Sequence, residues 1–366
     1  MPADPGTAPE PDPTGRTSPP ARRPSTGVGR STRAAPALLV VPALLAAAAA
    51  WAATLHVGAD DVPGLVDPAV AVRYGAPVVR ALLDVAAVAT VGLGMLPRLV
   101  PDRGGRARAL LALTRRAAVV TALSWLACSL LLLGLYTAEL ATGSPTAEDV
   151  ARYVSGVPAG AALALGAGCA AGCAALGLTG VVRDARGNGA DRLTDDLGAV
   201  LALLGLLPMP LTGHAVDWEY HDLSMLSVQL HVLAAAVWAG GLAAIAAFVA
   251  PRRGLLASTL PRYSKLATGA IVLVAASGVF NGGTELTTAG AGLGGLISTG
   301  YGRIVLLKAV LLVLLAALGG HARFRLLPLV ERHRRTALIT WAAVEVGVMG
   351  VAYGLGAVLA RAPVLT

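Results

Sequence analysis

The sequence predicts an all-α, polytopic membrane bundle of about nine transmembrane helices, with the N-terminus inside and the C-terminus outside. Three observations carry this. The chain of 366 residues is 55% hydrophobic and only 14% charged, where a soluble domain carries roughly 25% charged residues. So few charges cannot cover a soluble surface of this size, whereas a lipid-solvated surface needs none. Nine stretches approach the ~20 apolar residues needed to cross a bilayer. The basic residues alternate between successive connections, as membrane topology signals do.

Residues 1–34 are rich in Pro, Ser, Thr, Gly and Arg and almost free of large apolar side chains, a composition that cannot form a packed core. They read as a disordered cytoplasmic tail. The first apolar run follows it and is of spanning length, so it reads as a retained helix and not a cleaved signal. The predicted spans are 35–57, 75–97, 117–137, 155–180, 196–214, 226–250, 264–283, 302–320 and 338–359. The fifth is the weakest, because Pro208 and Pro210 interrupt its outer end. Such breaks are tolerated where protein or a water-filled cavity covers the freed carbonyls. The units are the tail, an N-terminal membrane region over 35–214 and a C-terminal one over 215–366.

The connections fix the orientation. The tail, 98–116, 181–195, 251–265 and 321–337 hold 23 of the 29 Lys and Arg residues. The alternate connections are acidic, with Asp60, Asp61, Asp67, Glu139, Glu148, Asp149, Asp217, Glu219, Asp222 and Glu285. The positive-inside rule puts the basic set in the cytoplasm. A net charge of +8 does not imply nucleic acid as a partner, because the basic residues sit in short clusters between apolar runs and form no aromatic-interleaved patch. The partner implied is the lipid bilayer, and the location is the plasma membrane.

Four of the six histidines fall at or near the outer face: His56, His214, His221 and His231, with Met209 and Met225 nearby. Imidazole and thioether together suit copper, as soft Cu(I) or as Cu(II), which prefers nitrogen. His214, His221, His231, Met225 and His56 are therefore the candidate metal ligands. His221 and His231 would be about 15 Å apart if both were helical, so a shared site needs the chain to fold back or another helix to contribute. The plain alternative is that these imidazoles sit at headgroup level as amphipathic interface residues. His321 and His333 flank a basic cytoplasmic run that serves as a topology anchor.

Ionisable groups within spans are costly and mark water paths or structural pairs. Arg80 and Asp84 are four apart and can pair on one helix face. Lys308 and Glu345 lie in the last two spans at different depths, so pairing between them needs tilt and long reach. All four are expected to line or brace a transport path. Cys128, Cys169 and Cys173 lie in apolar runs. Cys169 and Cys173 share a face where a soft metal could bind, against the simpler reading of small residues at a helix interface. No GxSxG, HExxH or P-loop pattern occurs, so no enzymatic activity is predicted.

The stretch from His231 through Trp238, Gly240 and Gly241 resembles the His-x(6)-Trp-x-Gly-Gly signature of the bacterial copper resistance protein D (CopD) family. Four further pieces agree in order: Arg262-Tyr-Ser264, Ser277-Gly278-Val-Phe-Asn281, Tyr301-Gly302-Arg303 through Lys308, and Gly319-Gly-His321 through Pro328. Upstream, Tyr74, Pro77, Arg80 and Asp84 are similar to the N-terminal part of actinobacterial members. In many of those, this unit is fused to a cytochrome oxidase assembly domain that handles copper, a domain this chain is expected to lack. The resemblance implies copper movement across the cytoplasmic membrane, usually described as uptake. Copper would be the transported ligand, handed over by a periplasmic or extracytoplasmic copper-binding protein. Two rival functions are a copper-binding assembly factor for cytochrome oxidase and a b-type haem electron carrier, since histidine pairs in a bundle can ligate haem.

Overall fold

The computed structural model describes residues 34–57, 69–101, 104–141, 144–188, 191–212, 221–288, 294–321 and 335–360. The helices are α1 (Ala34–Val57), α2 (Val70–Leu99), α3 (Gly105–Leu140), α4 (Ala147–Gly156), α5 (Pro158–Ala185), α6 (Arg192–Leu204), α7 (His221–Ala244), α8 (Arg253–Thr288), the single turn α9 (Gly295–Ser298), α10 (Gly300–His321) and α11 (Arg335–Leu359). Among the described residues the protein is all-α, and eight helices are long and apolar enough to cross a membrane. The predicted N-terminal tail, 1–34, lies outside the described residues except for Ala34.

The fifth predicted span differs from the other eight. It consists of α6, only 13 residues long, then turns over 205–208 and a 3₁₀ segment, Met209–Thr212. Pro208 and Pro210 explain the break, since proline lacks the donor that continues a helix and clashes with the preceding turn. The segment still traverses most of the bundle. Ala199 packs against Gly94 and Met209 meets Arg80, two positions about 21 Å apart along α2. The carbonyls freed by the break are covered by protein. Leu207 O accepts from Gln229 Nε2 at 3.3 Å, and Met209 O accepts from Arg80 Nη2 at 3.4 Å.

Small residues let the helices approach closely, which is how membrane helices associate without a hydrophobic drive. Gly92 of α2 crosses Gly240 of α7 so tightly that a Cβ on Gly92 would lie 2.0 Å from the Gly240 carbonyl oxygen. Gly350 and Gly354 of α11 abut Pro42 and Ala46 of α1. Both partners advance by four residues, so the first and last helices run parallel. Because α1 packs on α11 and α2 on α7, the two halves of the chain form one bundle.

The end of the bundle that carries the basic connections is tied by ion pairs. Arg115 reaches Asp184 at 2.7 Å and Asp195 at 3.4 Å, and Arg98 reaches Asp196 at 2.7 Å. At the other end, Thr146 and Asp149 form a capping box that starts α4. The Thr146 hydroxyl, then its backbone N–H, hold the Asp149 carboxyl below its usual range.

Candidate functional site

Midway along the bundle, five helices each bring a polar side chain inward. On α2, Arg80 and Asp84 pair at 3.1 Å, with side chains only 10% and 20% exposed. Helix α10 sets Lys308 within electrostatic reach of Asp84, and α11 sets Tyr353 within reach of the same carboxylate. The Tyr353 hydroxyl is buried without a hydrogen-bond partner among the described residues. Lys308 has room because Gly356 faces it: a Cβ there would come within 3.3 Å of Nζ. Ionisable groups at this depth tend to face one another or a polar interior.

Lys308 also reaches His231 on α7 electrostatically. The ring of His231 is fixed by α8: its Nδ1 lies 2.9 Å from Ser277 Oγ. The Ser277 hydroxyl also lies within hydrogen-bond distance of two backbone carbonyls, Leu273 O at 2.5 Å and Val274 O at 3.3 Å, and the imidazole has a backbone hydrogen bond at Val274 as well. When the hydroxyl proton goes to a carbonyl, the Ser277 oxygen accepts from Nδ1–H, and Nε2 then keeps a lone pair, the form in which histidine binds metals. One turn further along α8 the Oδ1 atom of Asn281 is buried without a partner.

The other expected ligands lie elsewhere. His56 ends α1 and is exposed. His214 lies outside the described residues. His221 opens α7, ten residues before His231, and its side chain is likewise outside them. Met225 and Met209 are buried. Among the described residues no group of three or more His, Cys, Asp or Glu side chains is gathered to hold a metal ion.

Lys308 does not pair with Glu345. Glu345 sits beside Gly319 near the C-terminal end of α10, eleven residues or about 16 Å from Lys308. Glu345 is 5% exposed, and among the described residues no cationic side chain lies within 4 Å of it. Lys308 is drawn to Asp84 instead.

Two family models match. The copper resistance protein D-like N-terminal domain matches residues 67–221, and copper resistance protein D matches residues 257–359. The chain belongs to the copper resistance protein D family. It is a multi-pass plasma-membrane protein. Copper transport protein CutJ of Bacillus subtilis (strain 168) is 31% identical over 119 residues, 31% of this chain and 21% of that relative. The match thus spans about a fifth of the relative's length. No solved structure matches.

The family motif residues have readable packing roles. Trp238 is buried and its carbonyl accepts from Tyr263 Oη at 2.6 Å. Gly240 makes the crossing with Gly92, and Gly241 makes space for the Tyr263 ring, which a Cβ would approach to 2.6 Å. At the start of α10, Thr299 Oγ1 accepts from the Gly302 N–H at 2.9 Å. Tyr301 is buried, and Arg303 Nε donates to Thr299 O at 3.3 Å.

Proposed function

We propose that this copper resistance protein D family member carries copper across the cytoplasmic membrane, inward, with His231 as a ligand in transit. The observation that supports this most is the place of His231, with Nδ1 2.9 Å from Ser277 Oγ inside a polar cluster shared by five helices, an arrangement that can leave Nε2 for a metal. Imidazole nitrogen in that tautomer binds copper in either common oxidation state. The outer His56, His214, His221 and Met225 capture the ion from an extracytoplasmic copper-binding protein. Acidic outer loops concentrate cations there. Arg80, Asp84 and Lys308 brace the path, and Glu345 lines its inner half. No nucleotide-binding motif occurs in the sequence, so transport is passive or driven by an ion gradient.

The experiment is copper accumulation in cells carrying His231→Ala, with protein levels matched. Uptake should fall at least tenfold. Unchanged uptake removes His231 from the mechanism. Copper binding by purified protein without flux into liposomes would replace transport by a binding or assembly role.

A further inference from the structure

Two cysteines of α5 stand apart from the cluster just described. Cys169 and Cys173 are buried and four residues apart, so their side chains are neighbours on one helix face. That face is turned to α6: Cys173 Sγ lies 3.6 Å from Gly198 O, and the Cβ of Cys169 packs against Gly205. The two sulfurs interact electrostatically with each other. The fully buried indole of Trp125 also packs against Gly205.

Depth places this pair on the inner half. Gly198 and Ala199 are level with Gly94 of α2, well inward of the Arg80 and Met209 level. Cys173 also lines a cavity of about 50 Å³ at the cytoplasmic end, with Thr114, Arg115, Thr194 and Asp195 on its walls. That volume exceeds what one water needs, so water can sit beside Cys173.

We propose that Cys169 and Cys173 form a two-thiolate Cu(I) site on the inner half of the bundle, from which the ion leaves through the cavity. This rests on the reading of the chain as a copper carrier. Soft thiolates select Cu(I). With metal–thiolate bonds of about 2.3 Å, one ion bridges sulfurs up to ~4.6 Å apart, within the range of side chains one turn apart. The chemistry is ligand exchange without redox. Two S–Cu bonds form as copper's bonds to its incoming ligands break and those ligands are released, two S–H bonds break, both protons leave through the cavity, and copper stays monovalent. The weak hydrogen bond from Cys173 to Gly198 O is given up in the same step. Gly198 faces no neighbour that a Cβ would touch, so α6 can adjust locally.

The test is anaerobic titration of the purified full-length chain with Cu(I) against a chromogenic chelator, with X-ray absorption at the copper edge. The wild type should show sulfur neighbours around copper. Cys169→Ser/Cys173→Ser should lose them together with one equivalent of Cu(I), while His231→Ala keeps them. Copper bound with nitrogen and oxygen neighbours alone, or undiminished stoichiometry in the double variant, overturns the proposal and leaves the carrier reading intact. Absence of any tight copper binding sinks both. A measurement on the wild type covers misfolding of the variants: Cu(I) should slow modification of Cys173 by a small thiol reagent at least tenfold, and equal rates overturn the site.

Discussion

Lys308 of α10 faces Asp84 of α2 across the bundle, although Asp84 accepts its hydrogen bond from Arg80 of its own helix. One carboxylate therefore serves two cations. Asp84→Asn would remove the carboxylate that stands between Arg80 and Lys308. Breaking a buried pair by removing one partner costs about 3–5 kcal/mol, so thermal denaturation in detergent should show a markedly lower midpoint. Asp84→Asn/Lys308→Met removes one charge of each sign and should recover most of that loss. If the double variant is no more stable than Asp84→Asn alone, the two residues do not answer to each other.

Ser277 should act on copper only through His231. In Ser277→Ala the imidazole loses the acceptor that holds the proton on Nδ1, and either nitrogen can then carry it. Loss of such an outer partner typically costs 10–100-fold in metal affinity. Copper affinity of the purified protein should fall within that range, and Ser277→Thr, which keeps the hydroxyl, should restore it. An affinity unchanged in Ser277→Ala means the hydroxyl serves only packing.

Much of this architecture was legible in the sequence, because hydropathy and loop charge are additive along the chain. The apolar runs placed eight spanning helices, and the basic loops gave them a consistent direction. The broken fifth span was legible at its prolines, but Gln229 and Arg80 as covers for the freed carbonyls were not. Those contacts join residues 22 and 129 positions apart, and no local pattern encodes them. The same holds for Asp184, Asp195 and Asp196, which neutralise the basic inner end. The partner of Lys308 was closer to hand. Counted from the outer ends of the predicted spans, Asp84 lies nine residues deep, Lys308 six and Glu345 fourteen, and depth alone favours Asp84. The Trp-Gly-Gly motif was readable as a signature but not as a packing device until Gly92 and Tyr263 were seen against it.

That packing device can be tested. Gly240→Val would drive a side chain into the α2 backbone at Val88 and Gly92, which a Cβ would already meet at 2.2 Å and 3.0 Å. Backbone cannot yield as a side chain can, so the variant should fail to accumulate or elute as aggregate in detergent. Tyr263→Phe is milder. It leaves the Trp238 carbonyl without its donor and should cost about 1–3 kcal/mol, read as a lower midpoint with a normal elution profile. A well-folded Gly240→Val would disprove the close crossing.

The cap of α4 gives a pH dependence whose sign follows from Asp149. Its carboxyl is held below the ordinary value by the Thr146 hydroxyl first and the Thr146 N–H second, so the folded cap favours the ionised form. The stabilisation is present above the unfolded-state value, about 4 for an aspartate, and is lost as pH falls through the lower folded value. Opening of the first turn of α4, followed by amide exchange of residues 147–150 corrected for intrinsic rates, should stay constant from neutral pH down to about 4 and increase below it. Thr146→Ala removes the hydroxyl, the largest cause of the shift, and should open that turn at neutral pH while flattening the acid dependence. An acid response identical in wild type and Thr146→Ala would show that the cap does not control this helix.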